Sequence, residues 1–337
     1  MNKTLLPLLA ALCLAACGGN PSGAAPEDTL KEGTAPAAMD LGPALQVPLP
    51  ELEKALTCTP DMLTATRDVV LITPAFTNDV DSFGWNYLRQ LPALGIPTCS
   101  LAIPGHGFDD LQIAAEYVVH AVRKINAQSG RKLVLFGHQH GPLDEMWALK
   151  FWPDLASKVS SYISLATPHN GTVAAKYACM SFRRCPPSVW QIAAGSKFLA
   201  ALKARPLPPG LAYTSISTNF DEVILPQPAA SALQGGTQIV LQQLCAGRPI
   251  EHFTILADRV TYELVLDAIN HPGQPADPAR LEPGFCSGPL YMPGVINPAS
   301  AIAALKGFGT FSFDFLIAVP VRGLAQEPPL REYALGP

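Results

Sequence analysis

The sequence has few charged side chains and no excess of basic ones. Asp, Glu, Lys and Arg make up 15% of the 337 residues, and 23 Lys and Arg stand against 27 Asp and Glu. A nucleic-acid-binding surface needs clustered Lys and Arg, so this balance argues against a nucleic-acid partner. Apolar residues make up 48% of the chain, which is enough for a large core.

The cysteines lack the Cys-x-x-Cys spacing that is typical of zinc sites. We therefore expect no metal and no other cofactor. Beyond the N-terminal segment, six cysteines remain, whose pairing cannot be chosen from spacing alone: Cys58, Cys99, Cys179, Cys185, Cys245 and Cys286. In an exported protein an even number of this kind favours disulfides.

The N-terminus carries an export signal. Lys3 is followed by an apolar stretch at 5–14, which is too short to span a bilayer, and then by Leu-Ala-Ala-Cys17-Gly18. This ending resembles a bacterial lipobox, which implies cleavage after residue 16, acylation of Cys17 and anchoring to the outer membrane. An ordinary secretory signal that is cut near the same place is the alternative.

Residues 17–51 are rich in Gly, Pro and Ala and predict a tether between the lipid and the folded domain. We expect one domain over 52–337, with the α/β class and no second apolar segment long enough to span a membrane.

Within this domain, apolar runs of strand length alternate with helical patterns. Such alternation favours a mostly parallel sheet that is covered by helices on both faces. The predicted strands lie at 68–73, 98–103, 132–136, 159–165 and 212–217, and the predicted helices at 85–94, 109–128, 142–152 and 252–269. Short helical pieces with Cys and Pro predict a small cap at about 168–209, and the end at about 272–337 is predicted to be loop-rich.

The most informative motif follows the predicted strand at 132–136. Gly137-His-Gln-His-Gly141 has the frame of a nucleophile elbow, in which a strained turn lifts a Ser or Cys out of the sheet. Its central residue is Gln139, and an amide is not a usable nucleophile. No Ser, Cys or Thr lies between Gly137 and Lys150, so a shift of register by one residue changes nothing.

Six motifs in this order resemble the Candida antarctica lipase B-like branch of the α/β-hydrolase lipases and its bacterial relatives. The resemblance covers roughly residues 52–286 and implies an α/β-hydrolase fold. The motifs are Leu135-Phe-Gly-His-Gln-His-Gly141, Trp147-Ala-Leu-Lys-Phe-Trp-Pro153, Asn170-Gly-Thr172, Pro187-Ser-Val-Trp-Gln191, Asp221-Glu-Val-Ile-Leu-Pro-Gln227 and Glu251-His252.

By position, the resemblance implies that Asp221 is the triad acid and His252 the triad base. It also implies disulfides between Cys58 and Cys99 and between Cys245 and Cys286, which leaves Cys179 to pair with Cys185. This chain departs from the family pattern at the elbow and in the oxyanion region. In the oxyanion region the family has Pro-Gly-Thr, whereas this chain has Pro-Ala-Phe76, so an aromatic ring replaces a polar donor. The backbone N–H groups of Phe76 and His140 remain available, and Thr77 could shift into the place of the lost donor.

The other histidines have less specific explanations. We expect His138 to pack in the core, His106 to lie on a loop and His169 to shape the pocket. Ligand atoms for zinc exist in principle on His138, His140, His252 and Asp221. Residues that flank an elbow point away from its centre, however, which disfavours convergence on one ion.

Three functional hypotheses remain open. The chain is a non-catalytic lipase-like lipoprotein that binds an acyl-type or ester-type small molecule or another partner in the former active-site cleft. Alternatively, it is an enzyme that uses His252 and Asp221 as a general-base pair. The third hypothesis is a lipase or esterase whose nucleophile lies elsewhere.

Overall fold

The structure is a computed structural model that describes residues 40–76 and 82–335. The predicted signal at 1–16, Cys17, the tether up to residue 39 and Thr77 lie outside the described residues. Their assignments therefore stay predictions.

A central sheet organises the described residues. Seven strands are ordered β1-β3-β2-β4-β5-β6-β7, and every neighbouring pair is parallel except β1 with β3. The strands are β1 (Leu56–Cys58), β2 (Val69–Thr73), β3 (Thr98–Leu101), β4 (Leu133–His138), β5 (Val159–Leu165), β6 (Ala212–Ser217) and β7 (Thr237–Val240). The predicted parallel sheet is confirmed, and the short edge strands β1 and β7 are additions to it.

Helices cover the sheet. They are α1 (Leu49–Lys54), α2 (Tyr87–Ala93), α3 (Leu111–Ser129), α4 (Gly141–Phe151), α5 (Val173–Phe182), α6 (Pro187–Gln191), α7 (Lys197–Ala204), α8 (Leu241–Leu244), α9 (Arg259–Asn270) and α10 (Pro298–Arg322). Helix α3 covers nearly the range predicted for it, 109–128. The Asp110 side chain caps its start by accepting from the Gln112 N–H, and Gly130 ends it at φ +66°.

Two buried clusters lie on opposite faces of the sheet. Side chains alternate along a strand, so Val69 and Leu71 of β2 pack in the cluster with α3 and α4, whereas Val70 and Ile72 pack in the one with α2 and α9. Both faces are therefore buried, as the continuous apolar runs of the strands indicate.

Helix α9 is shorter than the sequence indicates. It begins at Arg259, where the Asp258 side chain caps it by accepting from the Thr261 N–H, and not at His252. His252 consequently lies on a loop before the helix, so helical geometry does not determine the direction of its side chain.

The domain also begins earlier than expected. The Trp152 Nε1–H donates to the carbonyl of Pro43 at 2.7 Å, and one oxygen of Glu116 accepts from the N–H groups of Gln46 and Val47 at 2.6 and 2.8 Å. Residues 43–47, which we assigned to the tether, are held on the domain because their backbone groups have partners there.

Three disulfides join the pairs that the resemblance implies: Cys58 with Cys99, Cys179 with Cys185, and Cys245 with Cys286. The first links the antiparallel neighbours β1 and β3, and the second joins α5 to the segment just before α6, within the region predicted to form the cap. Each closed loop restricts the unfolded chain and adds stability.

The expectation of a loop-rich C-terminal region is wrong for 298–322, which form α10. Asn297 caps this helix by accepting from the Ser300 N–H, and Pro298 occupies its first position, where a missing N–H costs nothing. The helix is long and apolar enough to cross a membrane by length and composition, and 12% of its most apolar window is buried. The expectation that no second segment meets this criterion is therefore also wrong.

Two carboxyl groups of α4 are buried without hydrogen bonds of good geometry among the described residues. Asp144 is 1% exposed and Glu145 is 0% exposed. Burial raises the pKa of both groups well above the ordinary values, and Glu145 raises the pKa of Asp144 further. A neutral carboxyl is the form that such a site favours.

This burial predicts a stability that falls with pH. The folded state keeps protons that the unfolded chain releases above its ordinary carboxyl pKa of about 4, so unfolding becomes easier as the pH rises from there towards the folded-state pKa. Each such carboxyl contributes about 1.4 kcal/mol per pH unit in that range. We expect Asp144→Asn to gain stability over the wild type as the pH rises from 4 to 8, as measured by urea unfolding.

The exposed Asp61→Asn is the matched control and should give no such gain. Parallel stability profiles for the wild type and Asp144→Asn would show that Asp144 is already ionised in the folded protein.

Candidate active site

The turn between β4 and α4 has the geometry of a nucleophile elbow. Gln139 lies there at φ +57°, a conformation that is strained for a residue with a side chain. A Cβ atom at Gly137 or Gly141 would approach the Thr73 carbonyl oxygen to 2.7 or 2.3 Å. The two glycines therefore allow the close contact between the elbow and β2, and Gln139 takes the central place.

The amide of Gln139 folds back onto the elbow. Its Oε1 accepts from the His140 N–H at 2.7 Å, whereas its Nε2 is buried and finds no hydrogen-bond partner in the described part of the chain. In α/β-hydrolases the N–H that follows the central residue is an oxyanion donor. The side-chain carbonyl of Gln139 thus already occupies the His140 N–H. Leaving the buried amide nitrogen without a partner reduces the stability of the folded state by about 1–3 kcal/mol.

Asp221 and His252 meet beside the elbow, as their assigned roles require. Asp221 follows β6, and its Oδ2 lies 2.9 Å from Nδ1 of His252. Its Oδ1 accepts from the N–H groups of Val223 and Ile224 at 2.9 and 2.7 Å. Because a carboxylate can only accept, the contact assigns a proton to Nδ1 of His252, and no described group bonds to its Nε2.

His138 contacts the backbone and the ring of His252. Its Nε2 lies 2.9 Å from the His252 carbonyl oxygen, and the two rings are 4.7 Å apart. Burial lowers the pKa of His138 well below its usual value, and the positive charge of a protonated His252 lowers it further. His138 is therefore a neutral donor that fixes the loop of His252, close to the expected core role.

Two glutamates, Glu222 and Glu251, were missed by the sequence analysis. Glu222 Oε2 accepts from the His252 N–H at 3.3 Å, and Glu251 accepts from the N–H groups of Phe253 and Thr254 at 2.9 and 2.7 Å. Burial and the neighbouring Glu251 raise the pKa of Glu222. Burial acts in the same direction on Glu251, but hydrogen bonds, those from Phe253 and Thr254 foremost, lower its pKa overall. The two glutamates lie on the loops that carry Asp221 and His252, and their positions directly beside these residues in the sequence were the available signal.

The oxyanion region contains aromatic rings in place of a polar side chain. The ring of Phe76 stacks on Phe108 with centroids 4.5 Å apart and meets the ring of His140 edge-on at 4.6 Å. Burial lowers the pKa of His140 to about 3, so this imidazole is a neutral part of the aromatic group. The candidate donor Thr77 lies outside the described residues.

The remaining histidines lie apart from this site. His169 is buried, its Nε2 lies 3.0 Å from the Ser164 hydroxyl, and burial lowers its pKa to about 3. His106 is exposed and pairs with Asp314 of α10 at 2.6 Å. Among the described residues no group of three or more His, Cys, Asp or Glu side chains is placed to hold a metal ion.

An apolar pocket of about 200 Å³ lies next to the Asp221–His252 pair, which is called the dyad below. Gln139, His138 and His252 contribute polar atoms to the pocket. Its walls are mainly apolar and include Phe76, Trp85, Leu256, Phe253, Ala304 and Phe308. Helix α10 supplies the last two, so the segment that we predicted to be loop-rich forms one wall of the site.

Comparison with known proteins finds similarity to lipases. No protein-family model matches the chain. Lipase B of Pseudozyma antarctica is 29% identical over 229 residues, which cover 65% of this chain and 67% of the relative. The crystal structure of Aspergillus fumigatus lipase B is 25% identical with a TM-score of 0.76, covering 90% of this chain and 76% of that one. These similarities confirm the resemblance seen in the motifs.

A third comparison bears on the fold alone. The mature lipase BlEst2 of Bacillus licheniformis superposes with a TM-score of 0.50 at 15% identity, over 68% of this chain and 96% of that one. The α/β-hydrolase fold is thus confirmed by structures that share little sequence with this chain.

The site geometry predicts that a serine at the elbow restores weak ester hydrolysis. Gln139→Ser frees the His140 N–H and places a hydroxyl in the strained turn, beside the Asp221–His252 pair. We expect measurable turnover of p-nitrophenyl butyrate, about 10²–10³ below a lipase with a complete oxyanion hole, because Phe76 supplies no side-chain donor. Adding Phe76→Thr should raise the rate more than additively.

Gln139→Ala is the matched control, since it frees the same N–H without supplying a nucleophile. If folded Gln139→Ser and the double variant are both as inactive as Gln139→Ala, the Asp221–His252 pair is not held in a working geometry.

Proposed function

We propose that this homologue of lipase B, an α/β-hydrolase with Gln139 at the nucleophile position, binds an acyl-type ligand without hydrolysing it. The observation that carries the proposal is the bond from the His140 N–H to Gln139 Oε1. With a side-chain carbonyl bound to this oxyanion N–H, the elbow offers an ester no nucleophile and one donor fewer.

The cost of these changes supports the loss of hydrolysis. Loss of one oxyanion donor lowers turnover by about 10²–10³, and loss of the nucleophile lowers it far more. Phe76 adds a second change on the same side of the site, because its ring packs where a polar donor would be needed. Transition-state stabilisation is therefore reduced at each point where an ester would react.

The pocket supports retention of binding. It has mainly apolar walls with a few polar groups on its floor, which is the usual arrangement in sites for small apolar molecules. Its volume of about 200 Å³ lies below the 300–1,000 Å³ of typical ligand pockets. A small acyl compound fits these features better than a long-chain lipid.

We also propose that the domain works as an outer-membrane lipoprotein anchored through Cys17. The Leu-Ala-Ala-Cys17 ending of the signal supports this location. The three disulfides support export, because such bonds persist in oxidising compartments.

A second candidate function is general-base catalysis by the dyad. The observation that favours it is the intact contact at 2.9 Å between Asp221 and His252, whose Nε2 has no partner among the described groups. Such a histidine can activate water without a covalent intermediate. Gln139 would then orient the substrate or the water.

The absence of a serine at the elbow predicts that a fluorophosphonate probe does not label the wild-type domain. Such a probe reacts with an activated serine, and Gln139→Ser serves as the labelled positive control. Intact-mass analysis after incubation gives the result. A stoichiometric adduct on another serine, such as Ser82 in the pocket wall, would revive the hypothesis of a nucleophile elsewhere.

The binding proposal predicts that filling the pocket abolishes ligand binding. Ala304 lies in the pocket wall, so Ala304→Phe should weaken binding of methyl hexanoate and hexanoate by at least about tenfold, as steric overlap replaces favourable packing. Titration calorimetry measures the affinity, and the fluorescence of Trp85 gives an independent signal, because this ring lines the pocket.

Ala301→Phe, at an exposed position one turn earlier in the same helix and outside the pocket lining, is the control and should bind as the wild type does. Methyl hexanoate should be recovered intact after incubation. Binding by neither compound, or equal binding by both variants, contradicts the proposal.

A further inference from the structure

We propose that the ligand of this pocket is a short-chain free monocarboxylic acid, held as its carboxylate between the Gln139 amide nitrogen and the Nε2 of a protonated His252. The inference rests on the proposed function, since it names the chemical class of the acyl ligand. It concerns which groups of this chain recognise that ligand.

The Gln139 amide determines what the ligand must offer. The bond from the His140 N–H fixes Oε1, and because the amide is planar, the direction of Nε2 is fixed with it. This nitrogen carries two N–H donors with no acceptor in the described part of the chain, although Gln139 is only 3% exposed. An oxygen of a ligand cannot bond to the His140 N–H, because Gln139 Oε1 already occupies it. The acceptor for Gln139 Nε2 must therefore come from the ligand.

His252 determines the second requirement. Its Nδ1–H donates to Asp221, an arrangement that stabilises the imidazolium once Nε2 gains a proton. A carboxylic acid supplies that proton: its O–H bond breaks, an N–H bond forms at Nε2, and the carboxylate stays paired with the imidazolium. No covalent bond to carbon changes, and no other reactant is needed.

The charges around His252 favour an acid that brings its own proton. Asp221 lies on Nδ1, burial lowers the pKa of His138 and so disfavours a positive charge there, and the carboxyl groups of Glu222 and Glu251 lie on the adjoining loops. The residues that line the pocket include no Lys or Arg. An anion alone would therefore meet net negative charge, whereas an anion with a proton on His252 forms a charge-assisted pair.

Other acyl compounds meet only part of these requirements. An ester carbonyl can accept from Gln139 but has no proton for Nε2. An alcohol can donate to Nε2 and accept from Gln139, but through a single oxygen and without an ionic pair. The carboxyl group provides two oxygens and one acidic proton, which match the two groups of the floor.

The test compares hexanoate, methyl hexanoate and 1-hexanol on the wild-type domain by titration calorimetry. We expect hexanoate to bind at least about tenfold more tightly than the other two at pH 6. Titrations in two buffers of different ionisation enthalpy should show no proton uptake with methyl hexanoate or 1-hexanol and net uptake with hexanoate. Its affinity should then fall by up to about tenfold per pH unit as the pH rises.

Two variants test the recognition of the acid. Gln139→Glu replaces the amide nitrogen with a carboxylate oxygen and should weaken hexanoate by more than about tenfold. Gln139→Met keeps the length without the donor and should weaken hexanoate and methyl hexanoate alike, because the preference for the acid comes from His252. The proton uptake of the wild type stands independently if either variant fails to fold.

The outcomes separate this inference from the proposed function. If methyl hexanoate or 1-hexanol binds as tightly as hexanoate, with no proton uptake, the inference is wrong and the proposed function stands. If none of the three compounds binds, both are wrong.

Discussion

The hydrogen bond from the His140 N–H to Gln139 Oε1 is the interaction on which the rest of the site depends. Gln139 occupies a strained backbone conformation at φ +57°, and a residue in that region persists only where its surroundings hold it there. The side chain contributes to this by bonding to the next residue of its own turn. The same bond places an amide carbonyl at a donor that would otherwise be open to a substrate oxygen. In the free protein, the elbow thus carries an internal substitute for a bound carbonyl group.

Much of the fold and part of the site follow from local patterns. Gly137 and Gly141 predict the elbow because a side chain at either position would collide with β2. The resemblance to lipase B indicated that Asp221 and His252 lie together, although 31 residues separate them. The folded-back amide of Gln139 and the link between Glu222 and Glu251 could not be predicted in the same way. Both depend on side-chain directions that are set only when loops from separate strands meet.

The C-terminal helix shows how composition misleads. Proline and glycine suggested loops, but Pro298 lies at the first position of α10, where its missing N–H costs nothing. Pro320 lies inside the helix near its end and removes one backbone hydrogen bond without ending the helix before Arg322. The glycines Gly307 and Gly309 cost helix propensity, yet Gly307 lines the pocket, where a larger side chain would reduce its volume. A residue that is unfavourable for the helix can thus be required by the cavity beneath it.

The intact dyad does not by itself argue for catalysis, because its burial gives a structural reason for it. Asp221 is 3% exposed and accepts from two backbone N–H groups as well as from His252, so its carboxylate holds the turn at 221–224. Removing His252 would leave this buried charge with one fewer partner, which is costly in a desolvated site. His138 and Glu222 in turn bond to the backbone of His252. Each member of the group is therefore needed to satisfy its neighbours, and a chain that loses its nucleophile still has a physical reason to keep the pair.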